Sequence, residues 1–260
     1  MHRSKCVFTS ALDTGALQGK RIGVIRSAAG YHEAVDALLG QAIDTLKRGG
    51  ATIVDELKLK PYKEFEEDTY AILLYEFKQD LNAYFATLPN ELHSLTLEKL
   101  IRFDEEHADE EMPYFRQEVF EKSQAKGPLT EDGYLGAIAR AHKATREDGI
   151  DRLLREHELD ALIAPTSSPA WTIDLINGDH FIGGFSTYPA VAGYPHLTLP
   201  MGEVHGLPVG LSFTGTAFSE SKLIGMAFAY EQLRKQDQAD SGLKTSERVS
   251  RSEPALVELR

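Results

Sequence analysis

Residues 160–215 collect the side chains with which acyl-transfer chemistry is done. Hydroxyls stand at Thr166, Ser167, Ser168 and Ser186, imidazoles at His180, His196 and His205, and carboxylates at Asp174 and Asp179. A hydroxyl becomes a nucleophile when a base lies within hydrogen-bond reach and a third group orients that base, so a Ser-His-Asp set can be assembled from these on paper. The local context argues against one. A nucleophile elbow is built as G-x-S-x-G, because its strained turn admits only small flanking residues. Gly184-Phe185-Ser186-Thr187-Tyr188 comes nearest and carries Tyr where the last Gly belongs. Ser167-Ser168 precedes Pro169 and reads equally as a plain turn. The three histidines sit near Gly or Pro in loop-like sequence, without the fourth ligand and the spacing that a zinc site needs. Trp171, the single tryptophan, reads as a packing residue that can also line a pocket. Elsewhere, His107 lies in an acidic run over 104–111 that lacks an H-E-x-x-H pattern and reads as a solvated charged face. The turn over 26–30 lacks the G-x-G-x-x-G spacing of a dinucleotide site. No cofactor and no metal is expected from these patterns.

The elements that must hold these residues follow from periodicity. Ile22-Gly23-Val24-Ile25 is a short buried-strand candidate, and Val35, Leu38, Leu39, Ala42, Ile43 and Leu46 then share one helical face closed by Gly49-Gly50. A second strand at 51–54 completes a βαβ unit. Pro61 and Pro89 bracket a long helix whose apolar positions are Phe65, Leu73, Phe77, Leu81, Tyr84, Phe85 and Leu88, with acids crowding its first turns. A shorter helix is expected over 95–103. Thr130 reads as the N-cap of a helix that runs to about His157 and delivers the chain into the strand after Asp160. Three apolar runs (161–164, 197–199 and 209–213) are separated by Gly-, Pro- and Ser-rich segments, the pattern of central strands ending in loops. A last helix capped by Ser219 puts Leu223, Met226, Ala227, Tyr230 and Leu233 inward. The expectation is an α/β fold, with a single domain over 1–235 and a poorly ordered polar tail over 236–260.

Composition bounds the function classes. The 260 residues carry 28 Lys and Arg against 40 Asp and Glu, a net charge of −12, with no clustered basic face; neither nucleic acid nor an anionic membrane is expected as a partner. A single cysteine excludes an intrachain disulfide and points to a reducing, cytoplasmic location. No apolar run is long enough to span a membrane.

Four phrases in order carry a resemblance. FTSALDTGALQGKRIGVIR, DALIAPT, PAVAGYPHLTLPMG and GLPVGLSFTG, followed by an amphipathic helix, resemble the C-terminal half of the amidase signature family over residues 7 to about 235. The wording near 190–202 is most similar to bacterial amidases acting on small or peptide amides. The resemblance implies a mixed sheet covered by helices on both faces and cleavage of amide C–N bonds by a Ser–cis-Ser–Lys triad. The Lys and the G-S-S-x-G-type loop of that family have no counterpart here, and by the resemblance they would precede Met1. No catalytic residue carries over. What carries over is the wall of the substrate pocket, which implicates Thr166, Ser168, Trp171, Phe185 and Tyr188. Two readings follow. In the first, this is the C-terminal portion of an amidase, inactive alone and taking a small-molecule or peptide amide substrate once a catalytic half completes it. In the second, it is a non-catalytic binding or assembly module, whose uncovered strand edges favour self-association.

Overall fold

The computed structural model describes residues 8–251. In chain order it contains β1 (Arg21–Ile25), α1 (Glu33–Arg48), β2 (Thr52–Leu57), α2 (Phe65–Phe85), α3 (Leu97–Glu106), α4 (Ala108–Glu111), α5 (Glu118–Gln124), α6 (Asp132–Thr145), α7 (Asp151–Glu156), β3 (Ala161–Pro165), α8 (Thr187–Ala192), β4 (His196–Val204), β5 (Leu207–Thr214) and α9 (Glu220–Arg251). The described chain packs as two compact units. One holds the residues up to Leu59 together with 150–170 and those from Phe181 onward; the other holds 60–149 and 171–180.

The first unit is the α/β part. Its five strands are ordered β2-β1-β3-β5-β4, with β1 parallel to β2 and β3, and β5 antiparallel to β3 and β4. Alternation along the strands divides the sheet into two faces. Ile22, Val24, Ala161, Ile163, Leu211 and Phe213 lie in one cluster with Val35, Leu39, Ile43 and Leu46 of α1 and Leu223, Met226 and Tyr230 of α9. Ile25, Leu162 and Ala164 lie in the other, with Leu153 of α7 and Ala192 of α8. Fully burying each such aliphatic side chain contributes about 1.5–3 kcal/mol. α1 ends as its glycine pair requires. Gly50 takes φ +89°, Ala51 N–H donates to Leu46 O at 3.1 Å and Gly50 N–H to Lys47 O at 3.0 Å, so a glycine-terminated cap satisfies two helix carbonyls.

The second unit is helical, built on α2, α3, α5 and α6. Here periodicity misplaces part of the buried face: Leu74 and Tyr75 of α2 are buried, whereas Leu73 and Tyr84 are 63% and 58% exposed. Polar groups supply the ties. Asp68, 5% exposed, receives Arg140 Nε at 2.9 Å and the Tyr62 hydroxyl. Tyr75 donates to Glu131, Tyr134 to Glu76, and Lys78 to the carbonyl of Gln124.

Three boundaries differ from the sequence expectation. Glu131, not Thr130, occupies the N-cap of α6, in extended conformation and without a side-chain cap. The helix expected to run unbroken to His157 is interrupted at Gly149 (φ −105°, ψ −106°), where one unit ends and the other resumes. α9, expected to stop at Lys235, continues to Arg251. Residues 252–260 lie outside the described residues.

Candidate functional site

The polar residues singled out by the sequence converge where β3 ends. Beyond Pro165 the chain stays in register: Thr166 N–H donates to Gly210 O on β5 at 2.8 Å, extending the β3–β5 ladder by one residue. The next residues pair with the loop before α8. Phe185 N–H donates to Thr166 O at 3.0 Å, Ser168 N–H to Gly183 O at 2.9 Å, and Ser167 bridges Gly184. Phe185 then stacks on Tyr188 at 6.4 Å and 13°. Thr166, Ser168, Phe185 and Tyr188 are therefore brought together by one short antiparallel segment.

Burial separates their roles. Phe185 is 2% exposed and packs into the core cluster that contains Ala164 and Ala192; Ser168 is 8% exposed, and its hydroxyl has no hydrogen-bond partner among the described residues. Both are packed rather than presented to solvent. Thr166 and Tyr188 are partly exposed, and burial pushes the Tyr188 phenol up. Trp171 belongs to the helical unit, where its Nε1–H donates to Asp179 at 3.2 Å.

The sequence left a Ser-His-Asp set open on paper, and the geometry does not form one. Ser186 has φ −57° and ψ −31°, ordinary helical values without the strain of a nucleophile elbow. Asp174 and His180 do meet, at 3.4 Å, but the carboxylate is spent on the turn that follows it. It accepts Asn177 N–H and Ile176 N–H at 2.9 Å each, and these bonds, with that from the Asn177 side chain, hold it far below the usual carboxylate range. His196 lies 2.6 Å from a serine, Ser212, that sequence reasoning passed over. That serine is fully buried and donates its proton to Thr166 Oγ1 at 2.9 Å, away from the imidazole. No carboxylate orients His196 among the described residues, and burial lowers its pKa. The pair has the atoms of an activated nucleophile and the wrong proton arrangement. The signal for Ser212 was present in the alternation of G-L-S-F-T and H-L-T-L, where small or hydroxylic residues alternate with large apolar ones. Among the described residues, no group of three or more His, Cys, Asp or Glu side chains is placed to hold a metal ion. No helix among them is long and apolar enough to cross a membrane.

A five-stranded mixed sheet with helices packed on both faces defines an α/β protein. The chain belongs to the amidase family, whose model matches residues 2–224. The peptide amidase of Stenotrophomonas maltophilia is 39% identical, with a TM-score of 0.78 over 89% of this chain and 46% of its own. A peptide amidase solved with the competitive inhibitor chymostatin is 41% identical, with a TM-score of 0.82 over 89% of this chain and 47% of its own. A protein of Arthroderma benhamiae that carries the amidase name is 32% identical over 232 residues, covering 86% of this chain and 39% of its own. The chain thus spans less than half the length of these relatives.

Proposed function

We propose that this chain is the scaffold and pocket-wall portion of an amidase-signature hydrolase that cleaves amide C–N bonds. On this reading the nucleophile and its base are supplied by polypeptide outside the sequence, and the chain is inactive alone. The observation that carries the reading is the pairing of a match over 89% of this chain with coverage of only 46% of the Stenotrophomonas peptide amidase. Peptide amides are the favoured substrate class, since two of the similar structures are peptide amidases. Thr166, Ser168, Phe185 and Tyr188 form the wall, and Trp171 is retained as a substrate contact on the family resemblance alone. The division of labour is chemically sound: a bound amide needs orientation from the wall, while bond cleavage needs a separate activated hydroxyl and oxyanion donors.

Sheet topology supports where the completing polypeptide joins. β4 pairs only with β5 among the described residues, so its outer edge has backbone donors and acceptors open to a further strand. Association through that edge, with a catalytic half or with a second copy, satisfies them.

The test is complementation. The chain is produced alone and together with the part of the Stenotrophomonas enzyme that it does not cover, and ammonia release from a peptide amide is measured. Activity is expected only in the mixture. Turnover by the pure chain alone, abolished by Ser168→Ala or Ser186→Ala, overturns the reading, as does a chain that sediments as a compact monomer under all conditions and never takes up the second polypeptide.

A further inference from the structure

Thr166, just past β3, and Thr198 on β4 lie on opposite sides of β5 and are offset by two residues, Thr166 opposite Gly210 and Thr198 opposite Ser212, so their backbones stand roughly 12 Å apart at ordinary strand spacing. Their hydroxyl oxygens nevertheless meet at 2.8 Å. The β5 residue between them is Gly210, which accepts the Thr166 N–H on one side and pairs with Pro200 on the other. A Cβ at Gly210 would lie 2.4 Å from Thr198 Oγ1 and 2.9 Å from Thr166 Oγ1. The two threonines touch across a whole strand because that strand has no side chain at the crossing.

Ser212, two residues further along the same face, extends the contact into a chain. Its hydroxyl donates to Thr166 and lies 2.6 Å from His196 Nε2. A serine hydroxyl has one proton. With that proton on Thr166, the hydrogen of the His196–Ser212 bond must come from Nε2. The Thr166–Thr198 bond admits either donor; when Thr166, the less exposed threonine, is the donor, it satisfies its own proton on Thr198. The proton then left without an acceptor among the described residues is that of Thr198, on the edge strand. The ring of Phe185 meets the imidazole edge-on at 6.4 Å and 90°, bracing it. Burial lowers the imidazole pKa with no contribution from a charged side chain, and both the neutral Nε2–H form and the imidazolium donate from Nε2. The direction of the chain therefore survives titration of His196.

We propose, resting on the hydrolase reading above, that His196 is a positioning residue: acting through Ser212 and Thr166, it directs this hydroxyl chain so that Thr198 offers an O–H donor to a carbonyl oxygen of a peptide amide substrate. The first test needs no substrate. Nitrogen-15 NMR of the full chain with labelled histidine is expected to find His196 protonated at Nε2; an Nδ1–H tautomer with bare Nε2 overturns the proposal whatever the chain's part in hydrolysis. The second is binding of N-acetyl-phenylalanine amide, to the chain alone or with its complementing polypeptide. Affinity is expected to fall about tenfold in Thr198→Val and His196→Ala. It should return in Thr198→Ser and in His196→Gln, whose amide N–H replaces Nε2–H. Equal loss in both His196 variants with the fold intact, undiminished binding by Thr198→Val, or no binding by the wild-type chain overturns it. Failure of the hydrolase reading has a different signature: no ammonia on complementation, with the Nε2–H tautomer unchanged.

Discussion

In the sheet-bearing unit the least exposed side chains are mostly aliphatic and aromatic, with Ile22, Leu39, Leu162, Ile163, Leu211, Phe213 and Tyr230 at 1% exposure or below beside the hydroxyls of Ser212 and Thr214. In the helical unit Leu97 reaches that level, but Ser123 and Thr145 do too, and Asp68 and Gln117 are nearly as deep. Large apolar groups there stay outside: Tyr114 is 71% and Phe115 63% exposed. The helical unit relies more on buried polar ties, and the sheet unit more on apolar packing. A buried aliphatic side chain contributes about 1.5–3 kcal/mol without regard to pH, whereas a hydrogen bond contributes about 0.5–1.5 kcal/mol net. The first unit should therefore resist changes of solvent that loosen the second.

Phe213→Ala tests the apolar side of that contrast most severely. It empties a fully buried site packed against Tyr230 and is expected to cost about 3–5 kcal/mol, read as a lower urea midpoint for sheet-unit probes. A shift confined to the helical unit would break the comparison.

Gly210→Ala comes next. The added methyl collides with two threonine hydroxyls and is expected to cost about 1–3 kcal/mol by overpacking in the same urea experiment, while Gly40→Ala, where a Cβ meets nothing within 4 Å, should not destabilise.

The polar side of the contrast is sharpened by Asp68→Asn, with an expected loss of about 1–2 kcal/mol at neutral pH. Hydrogen bonding to Arg140, and then to Tyr62, outweighs burial and holds the Asp68 carboxyl below the usual carboxylate range. A lowered folded-state pKa means that its stabilisation is complete above the unfolded value of about 4 and is lost as pH falls through the lower folded value. Acid titration of helical-unit stability should thus lose a component in the variant, and an unchanged acid limb would refute that assignment.

The smallest effect belongs to Arg26→Ala. Its bidentate pair with Asp55, at 2.7 Å on both arms, lies at the surface and is expected to contribute about 0.5 kcal/mol, less at high salt. A double-mutant cycle measures it.

The same contrast explains what could be read in advance. β1 and α1 were legible because a strand buried on both faces is a continuous apolar run and α1 keeps one apolar stripe; β2, largely exposed, was legible from the short apolar run that follows the glycine pair. α2 was legible as a helix but not in its orientation, since Asp68 and Tyr75 are drawn inward by Arg140 and Glu131, residues over fifty positions away. Of the residues near the end of β3, Thr166 and Tyr188 were named from the resemblance, whereas Ser212, Thr198 and Gly210 were not. Each is unremarkable alone, and they acquire a common meaning only when β3, β5 and β4 lie side by side.

The sequence by itself determined the strands, the main helices and the family, because these follow from local periodicity and from phrases a few residues long. Only the tertiary structure decided which hydroxyls meet. It also decided that His196 meets Ser212 without an orienting carboxylate among the described residues. Those are properties of register across three strands, and register is set by the packing of the whole sheet.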